Sequence, residues 1–203
     1  MDDASNGNGL RESMLILSKF IRNPRTVGAV SPSSRALAKK MVANLPKNAP
    51  VTVVELGPGT GAFTGAIVGR IGAGARFLAI DIEPDFVRRI RERWPSVECV
   101  CASAEDLESL VRDRCLGSVD HIISGLPFAS LPVLMTRQIL EGIERTLRPG
   151  GTFTTFQYVH GYGMPHGRLF RRQMSELMGR APRRRLVLQN FPPTYILTWT
   201  RHA

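Results

Sequence analysis

Hydrophobic and polar positions along the chain follow two alternating patterns. Short runs of branched apolar residues, typical of strands buried on both faces, are separated by stretches in which apolar residues recur at helical spacing. The first pattern predicts seven strands, at residues 51–56, 76–80, 97–101, 119–123, 152–159, 183–189 and 195–201. Helical stretches separate all of them except the last two. We therefore expect an α/β fold with a seven-stranded, mostly parallel sheet, helices on both faces and an antiparallel strand at one end.

The residues before the first strand form a distinct N-terminal region. In residues 10–22 apolar side chains recur at helical spacing, and Arg11, Lys19 and Arg22 add positive charge. This pattern predicts a short amphipathic, basic helix, which either docks on the core as a lid or lies in the headgroup region of an anionic membrane. A connector and a cap helix ending near residue 45 follow. We therefore divide the chain into a region 1–45 and a main domain 46–203.

The first strand ends in a glycine-rich turn with the sequence Glu-Leu-Gly-Pro-Gly-Thr-Gly. Gly57, Gly59 and Gly61 allow a tight turn and a close approach of the backbone to a ligand, and the helix that follows presents its N-terminal amides there. Dinucleotide-binding folds share this spacing. Glu55, however, would repel a phosphate and attract an ammonium group, and Pro58 removes an amide donor. Both residues favour S-adenosylmethionine, whose amino-acid end is cationic.

Residues at the ends of the next two strands are further cofactor candidates. Asp81 ends the second strand, where a carboxylate is placed to accept both ribose hydroxyls of an adenosyl group, and Ile82 follows it. Ser103, Ala104 and Glu105 follow the third strand. Short polar residues at that point either hydrogen-bond the edge of the adenine or begin a helix.

The fourth strand ends in the sequence Ser-Gly-Leu-Pro-Phe at residues 124–128. Glycine and proline at the end of a central strand leave main-chain carbonyl groups free to point into a site. We therefore include Ser124 among the cofactor-binding residues, and we expect the ring of Phe128 to form one wall of the site.

Charge indicates a polyanionic partner. The formal net charge is +10 and the isoelectric point is about 10.5, which suits either nucleic acid or an anionic membrane surface. Cys99, Cys101 and Cys115 are odd in number and spell out neither a disulfide framework nor a metal site. The N-terminus does not resemble a signal peptide, and no apolar run approaches the roughly 20 residues that span a bilayer. We expect a cytoplasmic location and reduced cysteines.

Taken together, these residues resemble the class I S-adenosylmethionine-dependent methyltransferases, which have a Rossmann-like fold. The chain is more narrowly similar to the small bacterial phospholipid N-methyltransferases. This second resemblance lies in residues 20–30 (Phe-Ile-Arg-Asn-Pro-Arg-Thr-Val-Gly-Ala-Val), 32–34 (Pro-Ser-Ser), 124–128 and 190–193 (Asn-Phe-Pro-Pro).

The resemblance implies stepwise methylation of the amine of phosphatidylethanolamine toward phosphatidylcholine. The reaction would take place at the inner face of the cell membrane, where the N-terminal helix would anchor the protein. Carried over by position, Glu55 and the three glycines would hold the methionine part of the cofactor, Asp81 the ribose, and residues 103–105 the adenine. The product would be S-adenosylhomocysteine, and no metal is implied.

The chemistry of this reaction suggests four residues for the substrate amine. Tyr158 and Phe128 would form the amine pocket, because their rings can hold the quaternising nitrogen by cation–π contact. His160 or Tyr162 would carry the proton that the amine must release before it attacks. The lipid phosphate would meet arginine side chains, drawn from Arg168, Arg171, Arg172, Arg22 and Arg25.

The alternative function is N6-methylation of adenine in RNA, as in the ribosomal RNA dimethyltransferases. Those enzymes use an Asn-Leu-Pro-Tyr-like motif, in which an amide grips the planar base and the aromatic ring stacks on it. The equivalent positions here begin with Gly125 and end with Phe128, so the amide is missing. This difference disfavours nucleic acid as the partner.

Overall fold

The computed structural model describes residues 35–202, and these residues form an α/β fold around a seven-stranded sheet. The strands are β1 (Thr52–Leu56), β2 (Arg76–Asp81), β3 (Glu98–Cys101), β4 (Val119–Ser124), β5 (Leu147–Tyr158), β6 (Arg183–Val187) and β7 (Thr194–Thr200). Their order is β3-β2-β1-β4-β5-β7-β6. The first five strands are parallel, and β7 lies antiparallel between β5 and β6. The predicted fold class is confirmed, whereas the predicted helix at residues 10–22 lies outside the described residues.

Helices cover both faces of the sheet, as the alternation of patterns predicted. They are α1 (Arg35–Met41), α2 (Ala62–Val68), α3 (Pro84–Arg93), a 3₁₀ turn (Ala104–Asp106), α4 (Leu107–Asp113), α5 (Val133–Thr146), α6 (Val159–Tyr162) and α7 (Pro165–Leu177). One apolar core lies between the sheet and α4, α5 and α7, and the other lies between the sheet and α1, α2 and α3. Successive residues of a strand pack in opposite cores: Val53 lies in the second core and Val54 in the first core.

The topology gathers the candidate residues at one edge of the sheet. Because β1 to β5 are parallel, all five end at the same edge, which we call the carboxyl edge. The hairpin of residues 188–193 reaches the same edge, since Thr194 at the start of β7 pairs with Tyr158 at the end of β5. Ligands of open α/β sheets bind at such an edge.

The structure corrects two of the predicted element boundaries. The sequence His-Gly-Tyr-Gly-Met-Pro-His-Gly at residues 160–167 predicts a flexible loop, but α6 and the start of α7 occupy most of these residues. Pro165 is the first residue of α7, where its fixed φ suits a helix and its missing N–H is not needed. Strand β5 begins at Leu147 rather than at Thr152, because Leu147 pairs with Val119 before the register shifts.

Residues 35–45 belong to the core of the main domain. Leu37, Met41 and Leu45 are buried in the second core. Arg70, beyond α2, donates two hydrogen bonds to the turn after α1, at 2.6 Å to the Leu45 carbonyl oxygen and 2.7 Å to that of Ala43. Residues 35–45 therefore share a hydrophobic core with the main domain, and the boundary that we placed at residue 45 does not separate two cores.

We expect Leu37→Ala to lower the free energy of unfolding of the whole domain by about 2–5 kcal/mol, because the side chain is completely buried. Chemical denaturation followed by circular dichroism measures this change. Lys39→Ala, on the exposed face of the same helix, is the matched control and should have little effect. A separate early transition in the Leu37 variant would contradict a shared core.

Candidate functional site

The glycine loop after β1 has the backbone conformation that its sequence predicted. Gly57, Gly59 and Gly61 all have positive φ angles, of 71°, 53° and 84°. A Cβ atom at Gly61 would lie 2.4 Å from the Trp94 ring, whereas one at Gly59 would meet no heavy atom within 4 Å. Pro58 is buried, and its carbonyl oxygen accepts the N–H of Gly61 at 2.9 Å. Close packing thus requires Gly61, while Gly59 borders open space.

Asp81 connects this loop to the neighbouring strand. Its Oδ2 accepts the N–H of Gly59 at 2.9 Å, and its Oδ1 accepts the N–H of Glu83 at 3.0 Å. Burial raises the pKa of this carboxyl group above its ordinary value, and the two main-chain hydrogen bonds oppose that rise. Ile82 is half-buried beside it and packs on the first core. Asp81 therefore lies at the carboxyl edge, as predicted, and it also fixes the shape of the loop.

Glu55 is completely buried beneath the glycine loop. Its Oε2 accepts a hydrogen bond from the Thr64 hydroxyl at 2.7 Å, while Oε1 has no hydrogen-bond partner among the described residues. Burial raises the pKa of Glu55 to about 8; the Thr64 hydrogen bond opposes this rise, and the nearby Asp81 adds to it. A buried carboxylate oxygen without a donor is the partner that a cationic ammonium group requires. The residues present therefore fit the amino-acid end of S-adenosylmethionine.

Ser103, Ala104 and Glu105 lie at the end of β3, beside the end of β2. The Ser103 side chain caps the 3₁₀ turn: its oxygen accepts the N–H of Glu105 at 3.2 Å, and its hydroxyl donates to the Glu105 carboxylate at 2.9 Å. Ala102 donates its N–H to the Asp81 carbonyl oxygen, which keeps the two strand ends together. Both roles predicted for Ser103, hydrogen bonding to adenine and capping a helix, are compatible with this position. The hydrogen bonds present in the structure are those of the cap.

Ser124 is buried at the end of β4, between β1 and β5. Its hydroxyl oxygen accepts the N–H of Leu126 at 3.1 Å, and its carbonyl oxygen accepts the Thr155 hydroxyl at 3.1 Å. We had expected free carbonyl groups here, but the Ser124 carbonyl already has a donor. Gly125 is close to the glycine loop, because a Cβ on it would lie 2.6 Å from the Gly57 carbonyl oxygen.

Tyr158 and His160 form a stacked pair at the end of β5. Their ring centroids are 5.6 Å apart with an interplanar angle of 9°, and Phe156 meets Tyr158 edge-on at 5.6 Å. Burial raises the pKa of the Tyr158 phenol, so this group keeps its proton at neutral pH. His160 is exposed on α6. The structure thus brings together two of the four residues proposed for the substrate amine.

Tyr162 lies apart from that pair, against the other face of the sheet. It contacts Tyr195 at 4.7 Å, and Tyr195 pairs with the strand position next to that of Phe156, where side chains point to the opposite face. The Arg171 guanidinium stacks on the Tyr162 ring at 3.6 Å, and Arg184 donates to its hydroxyl at 3.3 Å. Tyr162 is therefore held by two arginines on the other face of the sheet from the Tyr158–His160 pair.

Phe128 is part of the first core rather than a wall of an open site. Only 4% of it is exposed, and it stacks on Phe170 at 4.6 Å and meets Phe153 edge-on at 6.0 Å. We therefore correct the assignment of Phe128 to the amine pocket. The sequence that follows β4 predicted an aromatic ring near the site, but it did not predict the direction in which that ring points.

The three arginines proposed for the lipid anion have different surroundings. Arg171 donates to the Gln157 amide oxygen at 2.6 Å in addition to stacking on Tyr162. Arg168 donates to the Gly163 carbonyl oxygen at 2.7 Å, and Arg172 forms an exposed ion pair with Glu176. Arg171 is thus the most firmly positioned of the three.

Sequence reasoning missed four residues that shape the site. Thr64 is one helical turn into the helix after the loop, where a hydroxyl can reach back to Glu55. Trp94 fills the space beneath Gly61 and Gly65, and Thr155 and Gln157 anchor Ser124 and Arg171. Buried polar residues within the fifth strand were a signal for the last two, because such residues need partners.

Two negative findings concern residues 35–202. No cluster of three or more histidine, cysteine, aspartate or glutamate side chains is arranged to hold a metal ion. No helix in this part of the chain has the length and apolar character that crossing a bilayer demands.

Comparison with known proteins gives consistent matches. Residues 53–151 match the protein family described as Methyltransferase domain. The chain is 32% identical over 147 residues to the ornithine lipid N-methyltransferase of Singulisphaera acidiphila, a match that covers 71% of this chain and 77% of that protein.

Solved structures share the fold at low sequence identity. The 1,6-didemethyltoxoflavin-N1-methyltransferase of Burkholderia thailandensis, with bound S-adenosylhomocysteine, has a TM-score of 0.68 and 16% identity, over 100% of this chain and 92% of that one. The N-methyltransferase NodS of Bradyrhizobium japonicum, also with S-adenosylhomocysteine, has a TM-score of 0.60 and 14% identity, over 82% and 84%. At these identities the two structures support the fold alone.

We expect S-adenosylmethionine to bind more tightly as the pH rises from about 6 to 7.5. Glu55, with a pKa of about 8, and an α-amino group, with a pKa of roughly 7.7–8.0, are both protonated in the free state over this range. Their ion pair holds one proton in place of two, so binding releases a proton and affinity rises by up to about tenfold per pH unit. Isothermal titration calorimetry measures both the affinity and the proton release.

Glu55→Gln should weaken binding at pH 7.5 by about tenfold or more and should remove the pH dependence, because a neutral amide cannot form the ion pair. Glu92→Gln, which alters an exposed carboxylate on α3, is the matched control. A wild-type affinity that stays constant across the range would contradict the pairing of Glu55 with the ammonium group.

The glycine loop provides a second test. Gly61→Ala should lower the free energy of unfolding, because the new Cβ would collide with Trp94 and the φ angle is left-handed. Gly59→Ala should cost only about 1–2 kcal/mol for its φ angle, yet should weaken cofactor binding because its Cβ enters open space next to the loop. Denaturation and calorimetry on both variants separate the two effects. Equal losses of stability would contradict this assignment.

Proposed function

Because the chain belongs to the class I S-adenosylmethionine-dependent methyltransferases, we propose that it transfers methyl groups to the primary amine of a membrane lipid. The observation that carries this proposal is the likeness to an ornithine lipid N-methyltransferase, which extends over 71% of this chain. The basic character of the protein supports a substrate held in an anionic surface.

Two lipids are candidate substrates. Ornithine lipid is favoured by the relative, and phosphatidylethanolamine is favoured by the resemblance in segments 124–128 and 190–193. Both headgroups carry a primary amine together with an anionic group, a carboxylate in the first and a phosphate in the second. A site that serves either of them needs a cofactor pocket, an amine position and a cation for the anion.

The loop residues and strand ends supply the cofactor pocket in this proposal. Glu55 and the glycine loop hold the amino-acid end, Asp81 accepts the ribose hydroxyls, and residues 103–105 with Ser124 border the adenine side. When bound, the cofactor supplies an electrophilic methyl group on a positively charged sulfur. Holding donor and acceptor in line accounts for up to roughly 7–11 kcal/mol of the barrier reduction in such reactions.

The Tyr158–His160 pair defines the amine position that we propose. The phenol of Tyr158 keeps its proton at neutral pH, so it donates a hydrogen bond and offers its ring face rather than accepting a proton. His160 stacks on the same ring and is exposed, which suits a group that accepts the amine proton and passes it to water. Tyr162, which contacts Arg171 and Arg184, takes no part in this proton transfer in our proposal.

Arg171 is our candidate for the headgroup anion, although it lies with Tyr162 on the other face of the sheet from the Tyr158–His160 pair, so a headgroup that contacts both must reach across the end of β5. Gln157 and Tyr162 fix its guanidinium group in place, and the remaining N–H donors are suited to a carboxylate or a phosphate. A positioned guanidinium loses little side-chain entropy when the anion binds. The same residue serves both candidate lipids, because both anions accept two parallel hydrogen bonds.

The packing of Gly125 disfavours the RNA alternative. Any side chain at this position would place its Cβ 2.6 Å from the Gly57 carbonyl oxygen, so the loop has no room for a base-gripping asparagine. We therefore propose a peripheral location at the inner face of the cell membrane rather than on a nucleic acid.

Labelled S-adenosylmethionine tests this function directly. The full-length protein is incubated with vesicles that contain ornithine lipid, with vesicles that contain phosphatidylethanolamine, and with unmodified ribosomal RNA. We expect label in at least one lipid, and mass spectrometry of the headgroup identifies the methylated nitrogen. Label in RNA with none in either lipid would overturn the proposal.

A further inference from the structure

Exposed apolar side chains are concentrated at the carboxyl edge. Residues 35–202 leave eight large apolar side chains exposed, and six of them belong to segments at this edge. The six are Val133, Leu134, Val159, Met164, Leu188 and Phe191. The other two are Leu186, one residue before the carboxyl end of β6 and therefore close to the same edge, and Leu177, at the far end of α7. Apolar exposure that is concentrated at one edge in this way indicates an interaction surface.

Two of the segments are joined to each other next to the Tyr158–His160 pair. The N–H of Val159 donates to the Pro193 carbonyl oxygen at 2.9 Å, which ties the start of α6 to the β6–β7 hairpin. Within this hairpin Phe191 is 82% exposed and Leu188 is 69% exposed. These side chains therefore project beside the position at which we place the substrate amine.

The last quarter of the chain carries an unbalanced positive charge. Between positions 151 and 200 there are seven arginines and one carboxylate, Glu176, which pairs with Arg172. Three of these arginines occupy successive positions in the edge strand β6, where Arg183 and Arg185 share a cleft with Lys40. No carboxylate among residues 35–202 forms an ion pair with Lys40, Arg183 or Arg185.

We propose that the carboxyl edge is itself the membrane-contacting face, and that the hairpin side chains Leu188 and Phe191 insert into an anionic lipid bilayer while the β6 arginines bind its headgroups. This inference deepens the proposed function and rests on it for the substrate, since a lipid amine would then enter the site without leaving the bilayer. It does not depend on the N-terminal helix predicted from residues 10–22.

Apolar and basic character together favour a bilayer over other polyanions. An arginine-rich surface alone would suit nucleic acid, but exposed leucine, valine, methionine and phenylalanine gain nothing from a phosphate backbone. In the interfacial region of a membrane the same side chains leave water, while each arginine near the surface meets anionic lipid. Positive charge and apolar exposure therefore both favour an anionic bilayer as the partner.

The first test measures partitioning of the full-length protein onto vesicles of equal parts phosphatidylglycerol and phosphatidylcholine. The double variant Leu188→Ser/Phe191→Ser should lower the partition coefficient by at least about tenfold, because two large side chains no longer leave water. Leu177→Ser, at the opposite end of the molecule, is the matched control. Thermal denaturation of each variant checks that the fold is unchanged.

The second test locates the inserted residue. Phe191→Trp should show fluorescence quenching by brominated phosphatidylcholine in these vesicles beyond that of the native Trp94 and Trp199, whereas Leu177→Trp should not. Leu177 is a suitable control because Gly179, two residues later, lies beside His202, which follows the end of β7 at the other edge of the sheet. Quenching at position 177 equal to that at 191 would overturn the proposal.

Other outcomes also decide the matter. An unchanged partition coefficient in the double variant overturns the proposal, and so does conversion of a dimer to a monomer by the same substitutions, since the apolar edge would then bind a second copy. Binding of ribosomal RNA that outcompetes the vesicles would likewise overturn it. The vesicles contain no substrate amine, so these results are independent of the proposed function.

Methyltransferase assays then connect the proposed function with the proposed membrane contact. The double variant should lose most methylation of aminolipid in vesicles but retain methylation of a short-chain aminolipid dissolved as a monomer. If the wild type methylates neither form, the proposed function fails while the partitioning result still stands. If the variant loses both activities equally, the hairpin belongs to the site itself and the membrane role is overturned.

Discussion

The Asp81 carboxylate holds the glycine loop against the second strand, and the rest of the site depends on this connection. Both of its oxygens accept main-chain N–H groups, one from the loop at Gly59 and one from the start of α3 at Glu83. The loop is equally constrained on its other side, where Gly125 approaches the Gly57 carbonyl oxygen. The ends of β1, β2 and β4 therefore meet at the loop, and the approach of β4 to the loop excludes a side chain at Gly125. The cofactor pocket that we propose lies beside these backbone segments, where close approach and left-handed φ angles favour glycine.

The sequence predicted much of this arrangement because its strongest patterns are local. A buried apolar run followed by alternating glycines specifies a strand and a tight turn, and the left-handed φ angles at these glycines confirm that conformation. Helices between strands favour parallel neighbours and two consecutive strands favour an antiparallel pair, so a mostly parallel sheet with an antiparallel strand was predicted, whereas the strand order was not. The position of Asp81 at the carboxyl edge was a consequence of the same rule. Residues that act at the end of a strand are thus the ones most accessible to sequence reasoning.

What the sequence did not reveal depends on the direction of a side chain. Phe128 follows β4 and Tyr158 ends β5, yet the first ring packs in the core against Phe170 while the second stacks on the exposed His160. Tyr162 and Tyr158 are four residues apart but lie on opposite faces of the sheet, because α6 begins directly after β5 and reverses the direction. The raised pKa of Glu55 arises from complete burial, which no local pattern displays. Such properties belong to the packed molecule rather than to any segment of it.

The strand order has a further consequence, because it separates charge across the molecule. Residues 81–120, which include β3 at one end of the sheet, carry ten carboxylates and six arginines, for a formal charge of −4. Residues 151–200, which include β6 at the opposite end, have a formal charge of +6. Formal charge in these two segments is therefore distributed unevenly across the sheet, negative toward β3 and positive toward β6. In the field of a negatively charged surface this uneven charge favours approaches in which β6 is nearer to the surface than β3, and the hairpin of residues 188–193, which follows β6, then lies on the nearer side.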